Sequence, residues 1–133
     1  MKKIKVAAAV AFNEEGKILI CKRGSEGHMA RHWEFPGGKI EAAETAEDAV
    51  IRECREELNL EPEDIWPYAM FAYDYPDRHI DFTFFLCRAE AGDIERRVHS
   101  DVRWVEPEAL PDFDFCPADR RLIARLAREY ATS

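Results

Sequence analysis

Three glutamates in the stretch Phe35 to Leu60, Glu53, Glu56 and Glu57, have types and spacing suited to chemistry. They follow a Pro36-Gly37-Gly38 turn, and Thr45 with Asp48 three residues on forms a pair like a capping box. Asn59 stands where a helix closes in a left-handed residue. The spacing therefore predicts a helix over 46–58. At about 100° per residue, Ala46, Ala49, Val50, Cys54 and Leu58 form its apolar stripe. Glu53 and Glu57 fall inside that stripe, Glu56 at its edge, and Asp48, Arg52 and Arg55 on the polar face. Burying a bare carboxylate costs several kcal/mol unless it is paired, whereas repulsion between glutamates four apart adds only ~0.2–0.5 kcal/mol.

The bland alternative is a solvated acidic face balanced by Arg52 and Arg55. On the wheel, one arginine on the far face cannot neutralise three converging carboxylates, and a divalent cation can. Oxygen ligands without His or Cys suit Mg²⁺ or Mn²⁺ rather than zinc. The two glycines after Pro36 allow close backbone approach, so a main-chain carbonyl can face that ion. His28, His32, His79 and His99 show no zinc-ligand spacing.

The 133 residues with a formal charge of −8 are expected to form one domain, residues 1–133. The acidic balance argues against a nucleic-acid or anionic-membrane partner, and a polyphosphate substrate then needs bound cations and placed arginines. Cys21, Cys54, Cys87 and Cys116 form no C-x-x-C pair and read as buried reduced thiols, which places the chain in the cytoplasm. The longest apolar runs are too short to span a bilayer, and Met1-Lys2-Lys3 leads into a strand rather than a signal peptide.

The elements that must position these groups read in order. Ile4 to Phe12 is a strand ending at the Asn13-Glu14-Glu15-Gly16 turn, and Lys17 to Arg23 is expected to pair back on it. Gly24 to His32 is a loop, and Arg23 before it is either a surface charge or a phosphate clamp. Trp33 and Phe35 read as core or as stacking surfaces for a base. Trp66 to Tyr75 is extended, and Ile80 to Arg88 is a strand with Ile80, Phe82, Phe84 and Leu86 inward. Asp93 to His99 reads as loop, and Val102 to Val105 as a short strand with Asp101 at its mouth. Prolines 107, 111 and 117 precede a last helix, with Leu122, Ile123, Leu126, Ala127 and Tyr130 buried and Asp119 as N-cap. Strands with two helices, one on each side of a mixed sheet, make an α/β (α+β) sandwich.

Gly38, five residues, Glu44, seven residues, and Arg52-Glu53-Cys54-Arg55-Glu56-Glu57-Leu58-Asn59-Leu60 resemble the Nudix box. Asn59 replaces the usual Gly and Cys54 the usual aliphatic. The resemblance extends to His28-Met29-Ala30, Glu34 to Glu41, Pro76 to Ile80 and Pro117-Ala118-Asp119, which look like the MutT-type nucleoside triphosphate pyrophosphohydrolases. It implies a Nudix α/β/α sandwich and Mg²⁺- or Mn²⁺-dependent hydrolysis of a nucleoside triphosphate to monophosphate and pyrophosphate. The partner implied is a small-molecule nucleotide, and the chain is expected to be a monomer or homodimer.

By the same resemblance Glu56, Glu57 and the Gly37 carbonyl hold metal, and Glu53 is a ligand or the base. Asp101 stands where the family carries a further Glu, as a ligand or as a strand-end carboxylate. Arg23 resembles the phosphate contact, while Glu44 and Arg52 tie loop to helix. His28, Glu34, Phe35, Pro36, Gly37, Arg78, Ile80 and Asp119 match positions around the substrate. Where the sanitiser of oxidised guanine nucleotides has Asn, this chain has Asp119, as in the branch acting on cytidine and 5-substituted cytidine triphosphates. Both substrate classes stay open. The alternatives are hydrolysis of ADP-ribose, nucleotide sugars or dinucleoside polyphosphates, or a non-catalytic nucleotide- or lesion-sensing domain.

Overall fold

The computed structural model describes residues 1–90, 92 and 94–131. Its centre is strand β1 (Lys2–Phe12), which pairs in parallel with β6 (Arg78–Arg88) from Lys2↔Arg78 to Phe12↔Arg88. Strand β5 (Glu63–Tyr75) pairs antiparallel with β6 and forms one edge. On its other side β1 meets the short β4 (Gly37–Lys39), with Ala8 opposite Gly37. Because β4 occupies that edge of β1, strand β2 (Ile18–Lys22) meets β1 only at Phe12↔Ile18. The expected pairing of β2 back on β1 is thus present, confined to that register. Instead β2 runs antiparallel to β7 (Asp101–Val105) along its whole length and to β3 (Trp33–Glu34) at Cys21↔Glu34.

Side chains alternate across this mixed sheet, and both faces are covered. Ala7, Ala9, Ala11, Leu19, Cys21, Phe85 and Cys87 pack against Ala49, Val50, Cys54 and Leu58 of helix α1 (Ala46–Leu58). Ala8, Val10, Ile18, Ile20 and Phe84 pack against Leu122, Ile123 and Leu126 of helix α2 (Arg120–Tyr130). Of the inward set expected on β6, Ile80 and Phe84 are buried and Phe82 and Leu86 half-buried, while Phe85 and Cys87 are buried on the opposite face. Tyr130 ends the α2 stripe 36% exposed, its ring beside Phe12.

Helix α1 begins and ends as its residue types require. Thr45 Oγ1 accepts from the Asp48 amide at 3.0 Å, and Asn59 closes the helix at φ 54°. Asp119 does not cap α2. The segment Pro117–Asp119 is already a 3₁₀ turn running into the helix, so Asp119 has helical backbone and its carboxyl makes no capping bond. All four cysteines are free and buried. Of the expected loop from Asp93 to His99, Asp93 lies outside the described residues, and 94–99 form neither helix nor strand. No helix among the described residues is long and apolar enough to cross a membrane.

Candidate active site

The β4 turn and helix α1 meet with almost no space between them. A side chain on Gly37 would collide with the Ala7 carbonyl oxygen, and one on Gly38 would stand 2.6 Å from the Glu53 carboxyl carbon. Glycine at both positions lets the strand edge touch the helix carboxylates. The Gly37 amide donates to Glu57 Oε1 at 3.1 Å. In an extended strand a residue's N–H and C=O leave by the same edge, so the Gly37 carbonyl is also turned away from β1.

The glutamates divide by depth. Glu57 and Glu53 have side chains 13% and 17% exposed, whereas Glu56 is 60% exposed. Burial first, then the neighbouring Glu34 and Glu53 carboxylates, push the Glu57 carboxyl up to about 8, against the Gly37 amide and Arg23. An upward shift with these causes marks a place short of positive charge.

Arg52 corrects the picture drawn from the helical wheel. Its guanidinium bends back from the polar face to meet Glu44 Oε2 at 2.7 Å, Glu53 Oε1 at 2.7 Å and Glu56 Oε2 at 3.3 Å. A long side chain carries its charge well away from its own Cα direction. Arg52 also donates to the Lys39 carbonyl at 3.1 Å, which ties the loop before α1 to the helix as expected for Glu44 and Arg52. The Arg52 bonds to Glu44, and after them the Glu41 amide, hold the Glu44 carboxyl down at about 2. Glu57 is left outside this arginine's reach.

Arg23, at the end of β2, does not extend freely. Its Nη1 pairs with Glu34 Oε1 at 2.8 Å and its Nε donates to the His28 carbonyl at 2.8 Å. The second Glu34 oxygen meets His99 Nε2 at 3.0 Å, and that nitrogen lies 3.8 Å from Glu57 Oε2. His99, whose side chain is 2% exposed, belongs to the site although its sequence position signals nothing. The metal role considered for Asp101 is not favoured by its contacts. Its carboxylate accepts from the Val102 amide at 2.8 Å and from Arg103 at 3.0 Å, as a strand-end group does.

On the other side of Arg23 and Glu34 lies a pocket walled by Phe35, His28, Arg78, Ile80 and Asp119. Pro36 is buried behind it, its carbonyl accepting from the Ala9 amide. Phe35 is 4% exposed and lies 5.4 Å from the Phe115 ring. His28 stands edge-on to Tyr75, and its Nε2 has no hydrogen-bond partner among the described residues. Arg78 is paired with Asp77 at 2.8 Å. Asp119 is 4% exposed, and burial with the nearby Glu34 charge raises its carboxyl well above the ordinary range. The structure thus brings Arg23, His28, Glu34, Phe35, Gly37, Arg78, Ile80 and Asp119 together around a pocket next to the acidic seam. Trp33 belongs to the core, edge-on to Phe113.

Among the described residues no group of three His, Cys, Asp or Glu side chains is assembled to hold an ion. The donor chemistry still fits a hard divalent cation. Glu53 and Glu57 could supply oxygens on one side of the seam with the Gly37 edge on the other, and the upward shift of the Glu57 carboxyl fits a place short of positive charge.

A family model described as NUDIX domain matches residues 2–126. The chain is 38% identical over 128 residues to an 8-oxo-dGTP diphosphatase of Escherichia coli (strain K12), covering 96% of this chain and 99% of that protein. It is 32% identical over 123 residues to a CTP pyrophosphohydrolase of the same organism, covering 92% and 90%. A MutT protein from Methanosarcina mazei Go1 superposes with TM-score 0.82 over 96% of this chain and 95% of that one, at 24% identity, a likeness of fold. With Glu53, Glu56 and Glu57 on one helix and a strand of glycines against them, the chain belongs to the NUDIX domain family, with a mixed-sheet sandwich like that of the MutT protein.

Proposed function

We propose that this chain hydrolyses a nucleoside triphosphate to nucleoside monophosphate and pyrophosphate, with an oxidised guanine nucleotide such as 8-oxo-dGTP as substrate. The observation that carries the reading is a shared wall. Arg23, Glu34 and Gly37 line both the cavity containing Glu57 and the pocket containing Asp119, so one nucleotide can place phosphates at the first and its base at the second. The 38% identity to an 8-oxo-dGTP diphosphatase supports the same assignment.

In this reading Glu53, Glu56, Glu57 and the Gly37 carbonyl hold Mg²⁺ or Mn²⁺. The cation, when bound, neutralises phosphate charge and acidifies water. Phosphoanhydride hydrolysis asks the protein for positioning and charge more than for a covalent nucleophile. Glu53 and Glu57 share ligation with acceptance of the proton from the attacking water, an effect typically of ~10²–10⁴-fold. Arg23 turns from Glu34 toward the phosphates. Phe35 and Ile80 clasp the base, and Arg78 and His28 close the pocket around it. A protonated Asp119 donates to the guanine O6 and accepts from N1–H.

Asp119 also supports a second substrate. The same neutral carboxyl donates to cytosine N3 and accepts from the 4-amine, so cytidine and 5-substituted cytidine triphosphates fit the same contact. Four buried free thiols suit a reducing cytoplasm. The test is a nucleotide panel with Mg²⁺, read by pyrophosphate against phosphate release. One pyrophosphate per monophosphate from 8-oxo-dGTP, well ahead of dGTP, is expected. Release of inorganic phosphate, or a preference for ADP-ribose or nucleotide sugars, would overturn the reading.

A further inference from the structure

We propose that His99 is a positioning residue for this hydrolysis, its Nε2–H donating to Glu34 and turned toward Glu57 at 3.8 Å, so that it fixes Glu34 between itself and Arg23 and keeps a donor facing the Glu57 carboxyl. The inference rests on the reading of the Glu57 seam as the cation-binding end of the active site.

The hydrogen bonds define the role. Glu34 gives one oxygen to Arg23 at 2.8 Å and the other to His99 at 3.0 Å, while Glu57 takes the Gly37 amide on one oxygen and faces His99 with the other at 3.8 Å. A carboxylate ion-paired to Arg23 accepts, so the proton sits on Nε2. Nδ1 has no hydrogen-bond partner among the described residues, so the two carboxylates are the ring's polar contacts. An imidazole that only filled space would be better replaced by an apolar side chain, since its second nitrogen is buried at a cost.

The backbone around His99 is sewn to both sides of the site. Arg97 N donates to the Glu57 carbonyl at 3.2 Å and Glu95 N to the Leu58 carbonyl at 2.8 Å, which anchors the segment to the end of α1. Ser100 N donates to the Lys22 carbonyl at 2.9 Å, which anchors it to the strand end carrying Arg23. The imidazole is therefore fixed before any ligand arrives. Without it, Glu34 is free to turn both oxygens onto Arg23 as a bidentate pair, and Glu57 keeps only the Gly37 amide. Groups that orient ion-binding carboxylates in this way typically govern ~10–100-fold of ion affinity or activity.

The test compares His99→Phe, which fills the space without a donor, with His99→Gln, whose amide nitrogen reaches to a similar point. Melting temperature, kcat and KM on the best nucleotide, and the Kd for Mn²⁺ alone by electron paramagnetic resonance are measured. In H99F, kcat is expected to fall and the Mn²⁺ Kd to rise by roughly 10–100-fold, while H99Q recovers most of both. Parental kcat and Mn²⁺ affinity in H99F would overturn the proposal, as would H99Q at the parental melting temperature yet as impaired as H99F. If the parent itself neither binds Mn²⁺ nor cleaves a nucleoside triphosphate, the functional reading has failed. If the parent does both and H99F is unaffected, only the role of His99 has failed.

Discussion

The Gly37 amide donates to Glu57 Oε1 at 3.1 Å, joining a strand edge to a helix carboxylate twenty residues away. That contact does not balance the burial of Glu57, whose carboxyl is raised to about 8. The folded chain thus holds a group poorly matched to its surroundings until a cation enters, and stability and activity should respond to it in opposite senses. Glu57→Gln should stabilise the metal-free protein at pH 8–9 by on the order of 1–2 kcal/mol, because a neutral amide avoids the buried charge. Turnover should fall at least about 100-fold. Chemical denaturation without metal, beside kcat/KM at saturating Mg²⁺, checks both. A less stable variant, or one with parental turnover, contradicts the assignment.

The pH dependence follows from the same carboxyl. Its folded value lies above the ordinary 4.5, so the native state holds the proton more tightly than the unfolded chain. The contribution is fully present below pH 4.5 and is lost as pH rises through about 8. Over that window the metal-free protein should lose a few kcal/mol from this group, on the order of 1.4 kcal/mol per pH unit at most. Mg²⁺ should restore more melting temperature at pH 8.5 than at pH 5.5, since it competes with the proton for Glu57. Scanning calorimetry across pH, with EDTA and with Mg²⁺, gives both curves; a metal effect larger at pH 5.5 contradicts the linkage.

Gly38→Ala tests how closely β4 must approach the helix. The added methyl would stand 2.6–2.8 Å from the Glu53 carboxylate, which can rotate away at little cost to the fold. Melting temperature should drop by only a few degrees, about 1 kcal/mol in a domain of this size. Activity should fall at least about 10-fold as Glu53 leaves its place. Gly37→Ala should fail to fold properly, since its methyl would overlap the rigid Ala7 backbone. Thermal melts and kcat for the two variants separate these effects.

Much of this site was legible because its causes are local. Thr45 and Asn59 bound α1 by their own backbone preferences, and the apolar stripe of Ala49, Val50, Cys54 and Leu58 follows from helical period alone. What depended on reach or on tertiary partners was not legible. A wheel places Arg52 by its Cα direction, yet its guanidinium travels back to Glu53 and Glu56. His99 lies 65 residues from Glu34 in sequence, and no spacing rule joins them. That β2 runs its whole length against β7 and meets β1 only at Phe12↔Ile18 depends on β4 already filling that edge. Asp119 looked like a cap because residue type and position fit one, whereas the 3₁₀ turn beginning at Pro117 supplied the helix start and released the carboxyl to the pocket.

Asp119→Asn tests what that carboxyl reads. Asp119 is buried and its carboxyl is raised by desolvation first and by Glu34 second, with Arg23 opposing. A protonated acid presents a donor beside an acceptor, as does an amide, but an ionised acid presents acceptors alone. The parent should therefore lose affinity for a base that needs the donor as pH rises through the Asp119 titration, while D119N, with nothing to titrate there, should not. With 8-oxo-dGTP, D119N should keep kcat/KM within about threefold of the parent at a pH below the parent's Asp119 titration and exceed it at a pH above it. Measuring kcat/KM for 8-oxo-dGTP, dCTP and 5-methyl-dCTP at both pH values also ranks the substrates. Identical pH profiles in parent and variant, with unchanged base preference, would leave Asp119 no part in base recognition.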